Sequence, residues 1–287
     1  MPFEMLENQY LIVEAKGVGD TYYCNERGKL RKFTGGSIKT YNSDSTTTDA
    51  VSEDKKGGKK KAANKYSKGK SVCIVPRNAE QACAFDLVHD RTKTIKLLEG
   101  CYGSGKTMIL VNAALEALKN GEFERIIWIR NNVSCVGTKD IGYLPGDIWE
   151  KMEPWVGPFI DHAGEAAVRA MLEKETLKVE PLQYLRGRNF ERSLILCTEA
   201  ENLLLANIQL IIARAAEGTQ IWLDGDYHQA DRKIFDESNG LVVMKERFKG
   251  NPLFGCVTLT KTERSATAAM ADLLDKDVLE QKRKLLK

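Results

Sequence analysis

After Val72 the chain alternates short aliphatic or β-branched runs with stretches whose apolar residues recur at helical spacing. Runs at 94–98, 125–129, 194–197, 220–223 and 255–259 are short and nearly continuous in apolar character, which predicts strands buried on both faces. The intervening stretches 79–88, 106–119, 147–171 in pieces, 206–216 and 265–284 carry helical periodicity. Strand and helix in alternation predict an α/β fold with a mostly parallel sheet covered on both faces. Residues 8–42 read differently. Short stretches such as Tyr10-Leu11-Ile12-Val13 and Tyr22-Tyr23-Cys24 are separated by turn signals at Gly17, Gly19-Asp20, Asn25 to Gly28 and Gly35-Gly36, predicting a small antiparallel β unit.

Between these regions the apolar pattern stops. Residues 43–70 hold Ser, Thr and Asp, then eight lysines from Lys55 to Lys70 with almost nothing to bury, so a linker or loop is expected there. The expected organisation is therefore a β-rich unit over 1–42, a Lys-rich connection over 43–71 and an α/β domain over 72–287. The lysine run fits an arm on nucleic-acid phosphates and equally a solubilising tether, because it attracts polyanions in either case.

Composition narrows the class. With 43% hydrophobic and 29% charged residues in 287, the balance is that of a globular protein with a core of ordinary size. No apolar run reaches the roughly 18 residues that span a bilayer, and the start Met1-Pro2-Phe3-Glu4 lacks a basic region followed by an apolar one. A cytoplasmic protein without a membrane partner is expected. The seven cysteines show no C-x-x-C pair and read as reduced thiols, and His89, His162 and His228 have no spacing that would join a zinc site.

One segment carries chemistry by itself. Gly100-Cys101-Tyr102-Gly103-Ser104-Gly105-Lys106-Thr107 fits G-x-x-x-x-G-K-[ST], between a predicted strand and a predicted helix. The glycines let backbone N–H groups turn inward around phosphates, and the helix N-terminus adds partial positive charge. Lys106 is expected on the β- and γ-phosphates and the Thr107 hydroxyl on Mg2+. The chain is thus expected to bind a nucleoside triphosphate, ATP with Mg2+.

Three weaker signals gain meaning beside this loop. The apolar run Leu194-Ile195-Leu196-Cys197 delivers Thr198-Glu199, the arrangement of a Walker B segment, with Glu199 as candidate base or water-positioning group. Thr198 stands where an aspartate is usual; a threonine can bond a metal-bound water but brings no charge. The run Ile221-Trp222-Leu223-Asp224 leads into Gly225-Asp226-x-x-Gln229, where Gln229 could orient water beside the γ-phosphate, or Gly225-Asp226 could be a plain turn. Upstream, Pro76-Arg77-Asn78 opens a helix bearing Gln81, whose amide matches the donor and acceptor edges of adenine, although a Gln at a helix start is also ordinary surface.

Together, Pro76-Arg77-Asn78-x-x-Gln81, the phosphate loop, Ile141-Gly142-Tyr143-Leu144-Pro145-Gly146-Asp147, Tyr184-Leu185-Arg186-Gly187-Arg188-x-Phe190, Glu199-Ala200-x-Asn202 and Gly225-Asp226-x-x-Gln229 resemble the PhoH family of P-loop ATPases, relatives of superfamily 1 helicases. The resemblance covers residues 72–264. It implies a RecA-like core, ATP hydrolysis, a homo-oligomeric ring such as a hexamer, and a link to RNA. Longer members carry a ribonuclease (PIN) domain before a small β segment; the β unit here is similar to that segment, and the chain reads as the ATPase half alone. By the same resemblance Gly100, Gly103, Ser104, Gly105, Lys106, Thr107, Gln81 and Arg77 bind nucleotide, and Thr107, Thr198 and Glu199 hold the metal. Lys106, Glu199, Gln229 and Arg264 serve catalysis, Arg264 lying in Thr258-Leu259-Thr260-Lys261-Thr262-Glu263-Arg264-Ser265, which is similar to the family's terminal arginine motif. Arg186 and Arg188 are cations for nucleic acid or for a neighbouring subunit's nucleotide. Family members generally present Asp-Glu where this chain has Thr198-Glu199.

Two functions follow. The first is an ATPase that couples hydrolysis to remodelling RNA or single-stranded DNA. The second, favoured by Thr198, is a slowly hydrolysing ATP-dependent switch or assembly module that regulates a partner protein. A small-molecule kinase has no acceptor motif to support it. With Glu199 correctly assigned, Thr198→Asp is expected to raise Mg2+ affinity or turnover.

Overall fold

A computed structural model describes residues 5–14, 20–41, 73–130, 148–226 and 239–263. The Lys-rich stretch, the Leu144-Pro145-Gly146-Asp147 segment, Gln229, Arg264 and the expected helix at 265–284 lie outside the described residues.

Near the N-terminus β1 (Tyr10–Val13), β2 (Thr21–Glu26) and β3 (Lys29–Phe33) form an antiparallel sheet, followed by β4 (Ile38–Lys39), which pairs with β5 (Cys73–Ile74). Then come α1 (Ala79–His89), β6 (Ile95–Gly100), α2 (Lys106–Lys119), β7 (Arg125–Arg130), α3 (Ile148–Ala163), α4 (Glu165–Glu173) and β8 (Leu177–Pro181). The described chain continues with β9 (Ser193–Thr198), α5 (Leu205–Ile212), β10 (Gln220–Gly225), α6 (Gly240–Phe248) and β11 (Phe254–Leu259).

Six of these strands make one all-parallel sheet in the order β11-β6-β10-β9-β7-β8. Side chains alternate between its faces. Leu98, Trp128, Leu194, Leu196 and Trp222 pack with α1, α2, α3 and α4, whereas Leu97, Ile127, Ile195, Cys197, Ile221 and Leu223 pack with α5 and α6. This is a RecA-like P-loop fold, with both faces covered as the continuous apolar runs require.

Two elements escape the hydrophobic pattern for physical reasons. The sheet edge β8, Leu-Lys-Val-Glu-Pro, has a neighbouring strand on one side alone among the described residues, so polar residues and a terminal proline are tolerated. Helix α6 begins on Gly240 and carries Lys245, Glu246 and Arg247; its start is fixed by the Asn239 side chain, which accepts from Leu241 N and Val242 N. The helix expected at 206–216 is shorter, ending at Ile212.

The antiparallel unit shares the core of the α/β domain. Cys24, Phe33 and Ile38 belong to the same buried cluster as Phe85, Leu110 and Leu115. Arg31 forks onto Asp86 of α1 at 2.9 and 2.7 Å, and the Tyr10 hydroxyl donates to the same carboxylate at 3.2 Å. The Asn8 amide donates to Asn251 O and Phe254 O at the foot of β11.

Candidate functional site

The phosphate loop leaves β6 at Gly100, whose φ is 139°. A Cβ there would lie 2.0 Å from Leu259 O of β11, so the close approach of the two strand ends admits glycine alone. Gly105, with φ 95°, is the N-cap of α2 and has no side chain to satisfy the first-turn N–H groups. Those donors and the helix dipole suit a phosphate.

Lys106 Nζ donates to Gly100 O at 2.7 Å and Cys101 O at 2.8 Å, two of the three bonds an ammonium can make. The Thr107 hydroxyl donates to Asp224 Oδ2 at 2.6 Å. Asp224 sits on β10, and its other oxygen accepts from Glu199 N at 3.0 Å. Burial pushes its carboxyl up to about 6, against the opposing pull of the Thr107 hydroxyl and the Lys106 charge.

At the end of β9, Thr198 is buried and Glu199 is exposed. Glu199 adopts φ 54°, ψ 38°, a left-handed conformation that costs an L residue about 1–2 kcal/mol. Such strain at a strand end facing the loop is where functional groups concentrate. Glu201, two residues on, is buried and accepts from Asp226 N at 3.1 Å, and burial raises its carboxyl to about 7. A Cβ on Gly225 would meet Glu201 Oε2 at 2.9 Å and Leu241 Cδ1 at 2.4 Å, which explains the glycine in Gly225-Asp226 without invoking a turn.

Gln81 is buried against the loop. Its Nε2 donates to Ser104 O at 2.9 Å, and its Oε1 accepts from Arg77 N at 2.9 Å. Among the described residues, one N–H and one lone pair of the amide have no partner. Residues 259–263 are stitched to the same place: Cys101 N donates to Leu259 O, Glu263 N to Gly103 O, the Thr262 hydroxyl to Tyr102 O, and Arg77 Nη1 to Glu263 O. These groups border a cleft of about 900 Å³ whose lining includes Arg77, Gln81, Lys106, Thr107, Thr198 and Glu199.

Thus the loop, Gln81, Arg77, Thr198 and Glu199 come together as the sequence suggests. Arg186 and Arg188 do not join them. They lie in the segment between β8 and β9, and neither lines the cleft. Arg186 is exposed, and Arg188 pairs with Glu180 at 2.9 Å. Asp224 is the site residue that sequence reasoning missed. Its signal was a carboxylate ending the otherwise apolar run Ile221-Trp222-Leu223.

The profile of the PhoH-like protein family matches residues 73–274. That is more than half of the chain and includes every element of the cleft. The chain belongs to the PhoH family. It is 37% identical over 213 residues to Protein PhoH2 of Bacillus subtilis, covering 70% of this chain and 48% of that protein. Protein PhoH2 of Mycolicibacterium smegmatis is 34% identical over 198 residues, 68% of this chain and 45% of that protein. Protein PhoH of Escherichia coli K12 is 33% identical over 198 residues, 66% of this chain and 54% of that protein. The chain therefore spans about half the length of the curated relatives it matches.

A P-loop cleft would need few protein ligands for Mg2+, because phosphate oxygens and waters would complete the octahedron. A hydroxyl and a carboxylate in contact, Thr107 and Asp224, fit that donor set. Among the described residues no group of three or more His, Cys, Asp or Glu is placed to hold an ion without such help, and no helix is long and apolar enough to cross a membrane.

Proposed function

We propose that this PhoH-family chain binds ATP with Mg2+ and hydrolyses it, coupling the reaction to remodelling of RNA or single-stranded DNA. The observation that carries the reading is the phosphate loop with Lys106 at its mouth and the Thr107 hydroxyl in contact with a buried carboxylate. Loop N–H groups and Lys106 bind the β- and γ-phosphates, and the metal spreads phosphate charge. Glu199, exposed on the cleft rim, orients the attacking water. Gln81 offers its remaining N–H and lone pair to adenine.

Gln229 and Arg264 complete the proposed machinery as water-orienting group and transition-state cation. Arg264 directly follows Glu263, which is bonded to Gly103 O. Arg186 and Arg188, outside the cleft lining, are suited to nucleic acid or to the nucleotide of a neighbouring subunit in a homo-oligomeric ring. The expected setting is cytoplasmic.

A second reading is a slow ATP-dependent switch. It is favoured by the uncharged Thr198 at the end of β9. Phosphate release measured with and without RNA and single-stranded DNA separates the two. Steady turnover raised by a polynucleotide supports coupling; tight ATP binding with negligible turnover supports the switch; salt-insensitive turnover indifferent to both polymers removes the nucleic-acid role.

A further inference from the structure

We propose that Asp224, on the neighbouring strand, holds the Mg2+ of the nucleotide site in place of the carboxylate that Thr198 lacks; the assignment rests on the Mg2+–ATP reading above. The sheet register carries it. Leu223 pairs with Cys197, so Asp224 and Thr198 come next at the same level on adjacent parallel strands. On its other side Asp224 pairs with Leu98 of β6, two residues before the phosphate loop begins. Alternation from Trp222 and Leu196, both on the α2 face, turns Asp224 and Thr198 toward that same face. The charge that β9 does not bring is therefore brought one strand nearer the loop, a displacement of about 4.8 Å.

The contacts distinguish Asp224 from the other carboxylates on the rim. Glu199 meets Asp224 through its backbone N–H, and Glu201 is bonded to Asp226 N. Asp224 bonds the Thr107 hydroxyl itself at 2.6 Å. A fully buried carboxylate beside a hydroxyl and near the Lys106 ammonium is a costly arrangement with little structural return. A divalent cation shared by the hydroxyl and the carboxylate gives it a purpose. On this account Thr198 is no defect in the metal site.

The test is the ratio of ATP affinity in Mg2+ to that in EDTA, by calorimetry, for wild type, Asp224→Asn, Glu199→Gln and the transposed double variant Thr198→Asp/Asp224→Thr. Wild type should bind more tightly with Mg2+. Asp224→Asn should lose about 10- to 100-fold of that gain, the range typical of groups that orient a metal, while binding in EDTA is retained or tightened because a negative charge near the phosphates is gone. The transposed variant should recover the gain, and Glu199→Gln should keep it. Asp224→Ser, which keeps an acceptor for Thr107, replaces the Asn variant if circular dichroism shows that variant unfolded. A full Mg2+ gain in Asp224→Asn or Asp224→Ser overturns the assignment alone, as does loss of the gain in Glu199→Gln. Failure of wild type to bind ATP overturns the functional reading and the assignment with it.

Discussion

Two buried ionisable side chains lie on one face of the sheet, a single alternation apart. Lys96 of β6 is in register with Trp222, and Asp224 with Leu98. Both are almost wholly buried, and burial disfavours the charged form of each: the Lys96 ammonium is pushed well below the usual lysine range and the Asp224 carboxyl up to about 6. Their partners differ. Lys96 Nζ donates to Val88 O and lies 4.6 Å from the Trp222 ring centroid, inside the core under α1. Asp224 meets the Thr107 hydroxyl, Glu199 N and the field of Lys106, all on the cleft. A perturbed buried charge is thus not itself a mark of function; its place at the carboxyl end of a parallel strand is, because there the loops open onto ligand space.

Substitutions on the adjacent strands β6 and β10 can break this contrast. The largest effect is expected where the strand ends: Gly100→Ala drives a Cβ into Leu259 O and should cost about 3 kcal/mol or more in urea unfolding, with loss of ATP binding. Unchanged stability would mean that the close packing of β6 on β11 is not needed.

Next is Asp224→Asn without nucleotide. Because the folded carboxyl is raised from 3.8 to about 6, the folded state binds more protons than the unfolded one between those values. The Asp224 contribution to wild-type stability therefore falls as pH rises through that window, by about 3 kcal/mol at most. At pH 8 the Asn variant should be more stable than wild type by up to that amount, and the difference should shrink below pH 4. A destabilised variant at pH 8 would show that the Thr107 bond outweighs the burial.

Lys96→Met should stabilise by a smaller amount, about 1–2 kcal/mol, since a buried charge is exchanged for apolar volume. Here the sign reverses. A lowered lysine makes the folded state bind fewer protons, so wild-type stability rises with pH until the unfolded lysine loses its proton near 10.4, and the gain from Lys96→Met should narrow over that range. ATP binding should be the same in Lys96→Met and wild type, as calorimetry can check; a change would dissolve the distinction between the two residues.

Much of this site could be read in the sequence because it is local. Eight contiguous residues define the loop, and five strands announce themselves as apolar runs between helices. What stayed hidden depends on register. Thr107 and Asp224 are 117 residues apart, and no local pattern says that β10 lies between β6 and β9. With its position between them hidden, Thr198 reads as a strand end lacking the metal carboxylate and Asp224 as the end of a core run. The edge strand β8 and the helix α6 were missed for the opposite reason, since half-exposed elements lack the apolar continuity that revealed the others.

The central claim is that the loop from Gly100 to Thr107 binds and turns over ATP. Phosphate release with Mg2+ by wild type and Lys106→Ala tests it most directly. Steady release by wild type that falls at least about 100-fold in Lys106→Ala, the scale of losing one charge-stabilising donor, is the predicted result. Equal release by both proteins would contradict it.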